Sequence, residues 1–176
     1  MTSVINLHPG PGAGFEQPFE MLDACHQRVE RMLVLLGRLS AHGARHGADD
    51  QAQQAARDVM RYFDLAAPHH HEDEERHVLP LLRAQGKGTL ADRVLQQHVA
   101  MAAAWAGVRL VLCAVEQGHW PDGKQDIAAQ WRAFAALYRE HIALEEREVF
   151  PAARLQIDAQ GLRVMADEMA RRRGAR

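Results

Sequence analysis

Several features that would direct a chain to a particular class of protein are scarce here. The net charge is only −2, so the sequence offers no strongly basic surface for nucleic acid or an anionic membrane. Its two cysteines, Cys25 and Cys113, are far apart and form no C-x-x-C pair, which indicates small buried side chains in a reducing compartment. No apolar run is expected to span a bilayer, and no signal peptide is visible. These absences predict a cytoplasmic protein with no nucleic-acid or membrane partner.

What the sequence does contain is an ordinary share of apolar residues and an excess of histidine. Of its 176 residues, 47% are hydrophobic and 25% are charged, values that are usual for a soluble globular protein. The length suggests one domain. The 11 histidines are the unusual part of the composition. Residues 1–14 are rich in proline and glycine, which oppose regular structure, and are expected to form a flexible N-terminal arm.

Part of the histidine content lies in a motif that occurs twice. Residues 69–80 and 140–151 share the pattern H-x-x-x-E-E-R-x-V-[LF]-P, in which His70 matches His141 and Glu74 matches Glu145. Residues four apart share a helix face, so each histidine and the first glutamate after it point the same way. Imidazole beside carboxylate suits a borderline metal such as Fe, Mn or Zn. One such pair alone would indicate a surface contact, but two matched copies favour a metal site.

Apolar residues recur at spacings near 3.5 and predict helices. The predicted spans are 15–40, 51–83, 90–117 and 124–150, with a short C-terminal helix over 158–172. Four such helices with short connections predict an all-α protein, an up-down-up-down four-helix bundle over residues 15–155. Residues 156–176 are then the C-terminal helix and a basic tail.

The ends of these helices carry recognisable signals. Residues 41–50 are expected to form a loop, after which Asp49 or Asp50 caps the second helix. Thr89 is the expected cap of the third helix, and Asp158 that of the C-terminal helix. Pro68 predicts a kink or a break in the second helix. The run of arginines at 171–173 is expected to be a solvated end rather than a nucleic-acid patch.

A histidine also stands within the apolar stripe of the first helix, His26, and of the third, His98. Alone, each would be a hydrogen-bonded core residue. Together with the motif, they mean that every helix delivers a histidine to the core and that two deliver a glutamate as well. Metal ions remove the penalty of burying these groups, because carboxylates bind ionised and imidazoles bind neutral. The predicted metal ligands are His26, His70, Glu74, His98, His141 and Glu145.

Two ions fit this set better than one, because the ligands follow a two-fold repeat. Each helix pair would serve one ion, and Glu74 and Glu145 would bridge them. Four imidazole nitrogens and four carboxylate oxygens would leave about four octahedral positions. A bridging oxo or hydroxo group and water, a further ligand or a small molecule would occupy these.

The arrangement resembles the hemerythrin-like, or HHE cation-binding, domain over about residues 20–150. The stripe histidines, both H-x-x-x-E-E segments and the following Leu-Pro and Phe-Pro carry the resemblance. It implies a four-helix bundle around two non-haem iron ions with oxo or hydroxo and carboxylate bridges. It also implies a protein that binds or senses O2 or a related small oxidant.

The resemblance leaves alternatives open. One is a di-iron enzyme acting on NO or peroxide, and another is an iron donor for repair of damaged iron-sulfur clusters. The expected partner is a small diatomic ligand or peroxide, and the sequence does not identify a protein partner. A structural zinc ion fits less well, because structural zinc sites are usually closed and four-coordinate.

The chain departs from the oxygen-carrying members of the family at one point. Those have a fifth histidine, supplied by H-x-x-x-H on the third helix, whereas the positions four from His98 are Val94 and Ala102. The site therefore resembles the variant with fewer histidines, and the resemblance does not extend to stable oxygen carriage.

Other polar residues lie near the motifs. Glu30 and His77 are candidates for an extra ligand, or else lie at the edge of the bundle or behind the ligands. The residues that flank the motif ligands are expected at the surface or behind the ligands: His69, His71, Glu75 and Glu146.

Overall fold

The computed structural model describes residues 14–121 and 126–175, and over these ranges the regular structure is helical, with no strand. Four long helical segments are followed by a shorter helix. The first segment is α1 (Pro18–His46) and the third is α5 (Gly88–Glu116). The second segment, residues 50–84, contains α2 (Asp50–Arg61), α3 (Ala67–Asp73) and α4 (Leu79–Ala84). The fourth, residues 127–154, contains α6 (Ile127–Leu144) and α7 (Phe150–Arg154), and the last helix is α8 (Ala159–Arg172). The expected N-terminal arm lies outside the described residues except for its last residue.

Two of the three predicted helix caps are confirmed. The side-chain oxygen of Asp49 accepts the backbone N–H three residues ahead at 2.9 Å, and that of Asp158 does the same at 2.7 Å. Such caps satisfy backbone donors that have no partner within the helix. The predicted cap at Thr89 is wrong, because α5 already begins at Gly88 and the preceding Lys87 makes no side-chain cap hydrogen bond.

The first helix is longer than the sequence pattern predicts. The prediction of a loop over residues 41–50 is wrong, because α1 continues to His46. Gly43 lies in this extension, and the ring of Trp120 occupies the place where a Cβ would stand, with its nearest atom 1.9 Å from that position. Only glycine permits so close an approach. The helix ends where Gly47 adopts a φ of 71°, a conformation that glycine adopts readily.

Three π-helical turns join the α-helices within the second and fourth segments. They are Tyr62–Ala66, Glu74–Val78 and Glu145–Val149, and the second residue after each is Pro68, Pro80 or Pro151. In each turn, the residue before the proline donates its N–H to the carbonyl five residues earlier instead of four. Proline lacks an N–H and its ring crowds the preceding turn of an α-helix, so the wider turn accommodates it. The second segment therefore continues through Pro68 instead of breaking there.

The helices enclose an apolar core that a polar layer divides into two clusters. α1 packs against α2 and α6, and α5 packs against the same two helices. One cluster contains Leu36, Phe63, Leu112, Trp131 and Phe134, and the other contains Phe19, Leu82, Leu144, Phe150 and Met165. On α1, His26 lies between Leu22 of the second cluster and Val29 of the first. The polar residues of the four segments thus meet at one level of the bundle.

The third segment is more apolar than the sequence was expected to be in any single run. Among the described helices, Gly88–Glu116 is long and apolar enough to cross a membrane, by length and composition alone, with a mean hydropathy of 1.7 in its most apolar window. The expectation that no apolar run reaches this length is therefore wrong. About a third of the window, 33%, is buried inside the protein, and a core helix can pass the same test. This helix also carries His98 into the polar layer.

The last helix is tied to the second segment through buried charge. Asp73 has no exposed surface, and Arg172 donates to its carboxylate at 2.5 Å while Arg173 donates to both carboxylate oxygens. His77 and Glu168 form a further pair at 2.7 Å. The expectation of a solvated arginine end is wrong for two of the three arginines, because a buried carboxylate requires counter-charge.

Candidate metal centre

All six predicted ligands lie together in the polar layer between the two apolar clusters. Their exposed fractions do not exceed 5%: His26 3%, His70 3%, Glu74 0%, His98 5%, His141 1% and Glu145 0%. Each of the four long segments contributes one of the histidines. Apolar side chains cover both sides of the layer, and the ring of Phe150 stacks on that of His26 with centroids 5.3 Å apart. Water is therefore largely excluded from these groups.

Each glutamate extends one carboxylate oxygen to a histidine of its own segment and the other to a histidine of a different segment. Glu74 Oε1 lies 3.0 Å from His70 Nε2, and its Oε2 lies 3.3 Å from His98 Nε2. Glu145 Oε1 lies 3.1 Å from His141 Nε2, and its Oε2 lies 3.1 Å from His26 Nε2. The motif spacing explains the first contact of each glutamate, whereas helix packing produces the second.

The nitrogen and oxygen atoms that could bind a metal ion fall into two groups, and both groups include the two glutamates. In each group the atoms lie within 4.8 Å of one another. One group is His26, His70, Glu74 and Glu145, and the other is Glu74, His98, His141 and Glu145. This arrangement matches two cation positions, each served by two imidazoles, with two carboxylates between them.

Several buried side-chain oxygen and nitrogen atoms of the layer make no hydrogen bond to any described residue. Besides Nδ1 of His70 and Nε2 of His71, they are both carboxylate oxygens of Glu74, Oε1 of Glu145, Nε2 of His98 and Nε2 of His141. The short nitrogen–oxygen distances at these atoms lack hydrogen-bond geometry. A buried polar atom without a partner costs about 1–3 kcal/mol, so the five that lie where the glutamates meet the histidines call for an explanation. Cations held by these lone pairs would supply the missing partners.

Burial and mutual charge set the protonation of the layer in the absence of a cation. Burial acts to raise the pKa of Glu74, but the charge of His70 holds that pKa well below its usual value. Burial and the charge of Glu74 raise the pKa of Glu145 well above its usual value. Burial acts to lower the pKa of His70, but the charge of Glu74 raises it well above the usual range. Burial lowers the pKa of His141 to about 3 and, with the charge of His70, also lowers that of His26.

In three of the histidines, a hydrogen bond from Nδ1 to a neighbouring side chain fixes the orientation of the ring. Glu146 Oε1 accepts from His26 Nδ1 at 3.1 Å, and Glu75 Oε1 accepts from His98 Nδ1 at 2.7 Å. Gln97 Oε1 accepts from His141 Nδ1 at 3.1 Å. These bonds place the proton on Nδ1 and leave Nε2 free to bind a cation. The motif predicts Glu75 and Glu146 at the surface or behind the ligands, whereas the sequence carries no signal for Gln97.

The two candidates for an extra ligand are engaged elsewhere. Glu30 accepts hydrogen bonds from the guanidinium of Arg139, at 2.7 Å for the shortest, in an exposed ion pair. His77 pairs with Glu168. His71, by contrast, lies against the layer, with one ring nitrogen within 4.8 Å of a ring nitrogen of His98 and of His141. This position agrees with the prediction that His71 lies at the surface or behind the ligands, because its ring packs against those of His98 and His141.

Comparison with known proteins gives two matches. The sequence model described as Hemerythrin HHE cation binding domain matches residues 17–153, which confirms the resemblance seen in the motifs. An uncharacterized protein of Haemophilus influenzae is 33% identical over 172 residues, which cover 95% of this chain and 96% of that protein. The match to the family ends before α8, whose arginines hold Asp73.

Proposed function

The chain belongs to the hemerythrin HHE cation-binding domain family, and from this premise we propose that it holds two non-haem iron ions in the polar layer. The proposed role of this di-iron centre is to bind or sense O2 or a related small oxidant. The proposal includes an oxo or hydroxo bridge between the ions. It also includes the cytoplasm as the location of the protein, and a small diatomic molecule or peroxide as its partner.

The observation that carries the proposal is the sharing of Glu74 and Glu145 between two groups of donors. Each glutamate has one oxygen beside a histidine of one group and the other oxygen beside a histidine of the other group. A carboxylate in this position can bridge two ions. A single ion would leave half of the imidazoles without a partner. Imidazole with carboxylate is also a donor set that iron accepts well.

The proposed architecture is an up-down-up-down bundle of the four long segments. The connections support this, because α1 ends at His46 and α2 begins at Asp50, while α4 ends at Ala84 and α5 begins at Gly88. Connections this short favour antiparallel neighbours. A bundle of this kind presents one side chain of each segment to the same level of the core, which is the condition for a shared site.

When bound, two iron ions would supply positions for a small oxidant and electrons for its reduction. The chain's own residues do the rest. The apolar clusters on both sides of the layer keep water away from the ligands, and Glu75, Glu146 and Gln97 hold three imidazoles in one orientation. Such support fixes both the direction and the basicity of the ligand nitrogen.

The test is iron analysis of protein loaded without oxygen, followed by optical spectra before and after addition of O2 and of NO. We expect about two iron ions per chain and a spectral change with O2. His70→Ala should lower the iron content, whereas His119→Ala, a change at an exposed loop residue, should not. One firmly bound ion with no second site, equal loss in both variants, or no response to O2 would contradict the proposal.

A further inference from the structure

The helix α5 exposes an apolar stripe to solvent. Val99 and Leu110 are 71% and 75% exposed, and Ala103 and Ala106, which lie between them on the same face, are exposed as well. A helix that packs on a core with one side usually carries polar residues on the other. The exposed residues of α1 follow this rule and include Gln27, Arg28, Arg31 and Arg38. The outward face of α5 departs from it, which indicates a partner outside the described bundle.

The spacing of the stripe is that of a helix that packs against another helix. Its four residues are four, three and four positions apart, which is the heptad spacing of coiled coils. The buried side of α5 carries a row with the same alternation, from Val94 to Val115, and the two rows lie on nearly opposite faces. The helix therefore has two faces suited to packing, and the described chain covers only one of them.

The apolar surface continues from α5 onto α6. Glu140 lies 3.5 Å from the guanidinium of Arg93, and the side-chain amide of Gln130 lies against Gly107. The residues of α6 that lie between these two contacts on the same face are Ala133 and Leu137. Both are apolar, so α6 extends the surface on one side of the stripe.

The size of this surface suits a stable pair of proteins. From Asp92 to its end at Glu116, α5 is about 36 Å long, and two adjacent helices are about 20 Å wide. These dimensions give about 700 Å², close to the ~800 Å² that each partner buries in an interface of standard size.

A second copy of the same chain is complementary to the stripe. In an antiparallel pair with a two-fold axis between Ala103 and Ala106, Val99 faces Leu110 of the partner subunit. The larger side chains then meet at both ends, and alanine faces alanine in the middle. Small side chains at the centre allow the two backbones to approach closely. A two-fold interface requires such self-complementarity, because both subunits present the same surface.

Charge at the ends of the stripe favours the same arrangement. Continued at the same spacing, the stripe begins at the exposed Asp92 and ends at the uncharged Gln117. An antiparallel pair places these two ends against each other, whereas a parallel pair would place Asp92 against its own copy. Like charges that face each other oppose association. A membrane surface fits less well, because helices that bind it are rich in Lys and Arg beside the apolar face.

We propose that two copies of the chain associate through the outward faces of α5, antiparallel, with α6 at the border of the interface. The exposed apolar stripe is then covered in the dimer. The only charged residue of α5 between Arg93 and Glu116 is Arg109, and it does not stand in the way. Its guanidinium points to the neighbouring α2 side, where it donates to Asp64 at 3.0 Å.

The first experiment measures the mass in solution by analytical ultracentrifugation over a range of protein concentrations. We expect twice the 19.7 kDa of one chain. The double change Val99→Lys and Leu110→Lys should give a folded monomer, because it places four charges in the interface. The matched control is Leu155→Lys with Val164→Lys, at positions outside α5 that are 82% and 54% exposed, and it should remain a dimer. A wild-type monomer at every concentration, a dimer of the α5 variant, or a monomer of the control overturns the proposal.

The second experiment tests the antiparallel arrangement by disulfide formation in a Cys113→Ser background. Ala103→Cys lies beside the two-fold axis and should cross-link the dimer under mild oxidation. Val99→Cys alone should not, because its two copies would be about 16 Å apart and a disulfide requires Cα atoms within about 7 Å. A mixture of Val99→Cys and Leu110→Cys should cross-link. Equal cross-linking of Val99→Cys and Ala103→Cys alone would overturn the antiparallel arrangement.

The third experiment tests a membrane as the occupant instead of a second copy. Vesicles of phosphatidylcholine and phosphatidylglycerol are floated with wild-type protein, and we expect the protein to stay at the bottom of the gradient. A wild type that is monomeric in solution and floats, with flotation lost in the α5 variant, would assign the stripe to a membrane and overturn the pairing. None of these results depends on iron, so they leave the proposed function to its own test.

Discussion

At the scale of single residues, the two adjacent glutamates of each motif have different positions and different partners. Glu74 and Glu145 are fully buried and lie beside the Nε2 atoms of two histidines each. Glu75 and Glu146 are about half exposed, at 43% and 52%, and accept from the Nδ1 atom of one histidine each. The difference of about 100° between successive helix residues produces this division.

The division predicts different effects on iron binding. Glu74→Ala and Glu145→Ala should abolish binding of the second ion, because each change removes an oxygen from both cation positions. Glu75→Ala and Glu146→Ala should weaken affinity by ~10–100-fold and still allow two ions at saturation, because they remove only the support of a ligand. Iron titration of the four variants measures this. If the Glu75 and Glu146 variants are the ones that cannot be saturated, the glutamates have been assigned to the wrong faces.

At the scale of elements, the π-helical turns and α8 both affect the helices that carry the motifs. The turns change the helix geometry, and α8 makes contacts with the side chains. The turns Glu74–Val78 and Glu145–Val149 each begin at the buried glutamate and precede a proline. The proline thereby requires a wider turn immediately after the buried glutamate, at equivalent places in the two motifs. α8 also contacts the first motif through charge, because Arg172 and Arg173 at its end bind Asp73, the residue before Glu74.

The three consecutive arginines 171–173, at the C-terminal end of α8, allow a controlled test of that contact. The double change Arg172→Ala and Arg173→Ala should lower the free energy of unfolding by about 3–5 kcal/mol, because it leaves the buried Asp73 without counter-charge. Arg171→Ala, at an exposed position, should change it by less than about 0.5 kcal/mol. Urea unfolding of the metal-free proteins measures both. Similar effects of the two changes would show that the Asp73 contacts contribute little.

At the scale of the whole molecule, the polar layer makes the stability of the core depend on what the layer binds. The layer separates two apolar clusters. Several of its buried nitrogen and oxygen atoms have no hydrogen-bond partner among the residues described. A ligand that binds only the folded state stabilises that state by mass action. Metal binding should therefore stabilise the entire bundle rather than one helix.

Iron loading should raise the melting temperature. At free iron ~100 times the dissociation constant, one ion contributes about 2.7 kcal/mol. For a chain of this size that corresponds to about 5–11 °C. Calorimetry of metal-free and anaerobically loaded protein measures the shift, and a chelator should reverse it. His70→Ala should show a smaller shift, and an unchanged melting temperature in the wild type would contradict a buried site.

The sequence by itself determined the helices and the six residues that meet in the layer. Local periodicity is sufficient for this, because the spacing of apolar residues shows which face of a helix is buried, and H-x-x-x-E places two donors on that face. The family resemblance came from the same motifs and is confirmed over residues 17–153. The caps at Asp49 and Asp158 were likewise local signals.

Only the tertiary structure decided which residues of different segments touch. The ring of His71 contacts those of His98 and His141, which belong to other segments, and these contacts depend on how the helices pack. Gln97 behind His141 and the arginines of α8 on Asp73 are contacts between segments that are distant in sequence. In the part of α1 that extends to His46, Trp120 fills the space beside Gly43, a contact with a residue far away in sequence. Periodicity fixes the direction of a side chain on its own helix, whereas its partners depend on how the helices pack together.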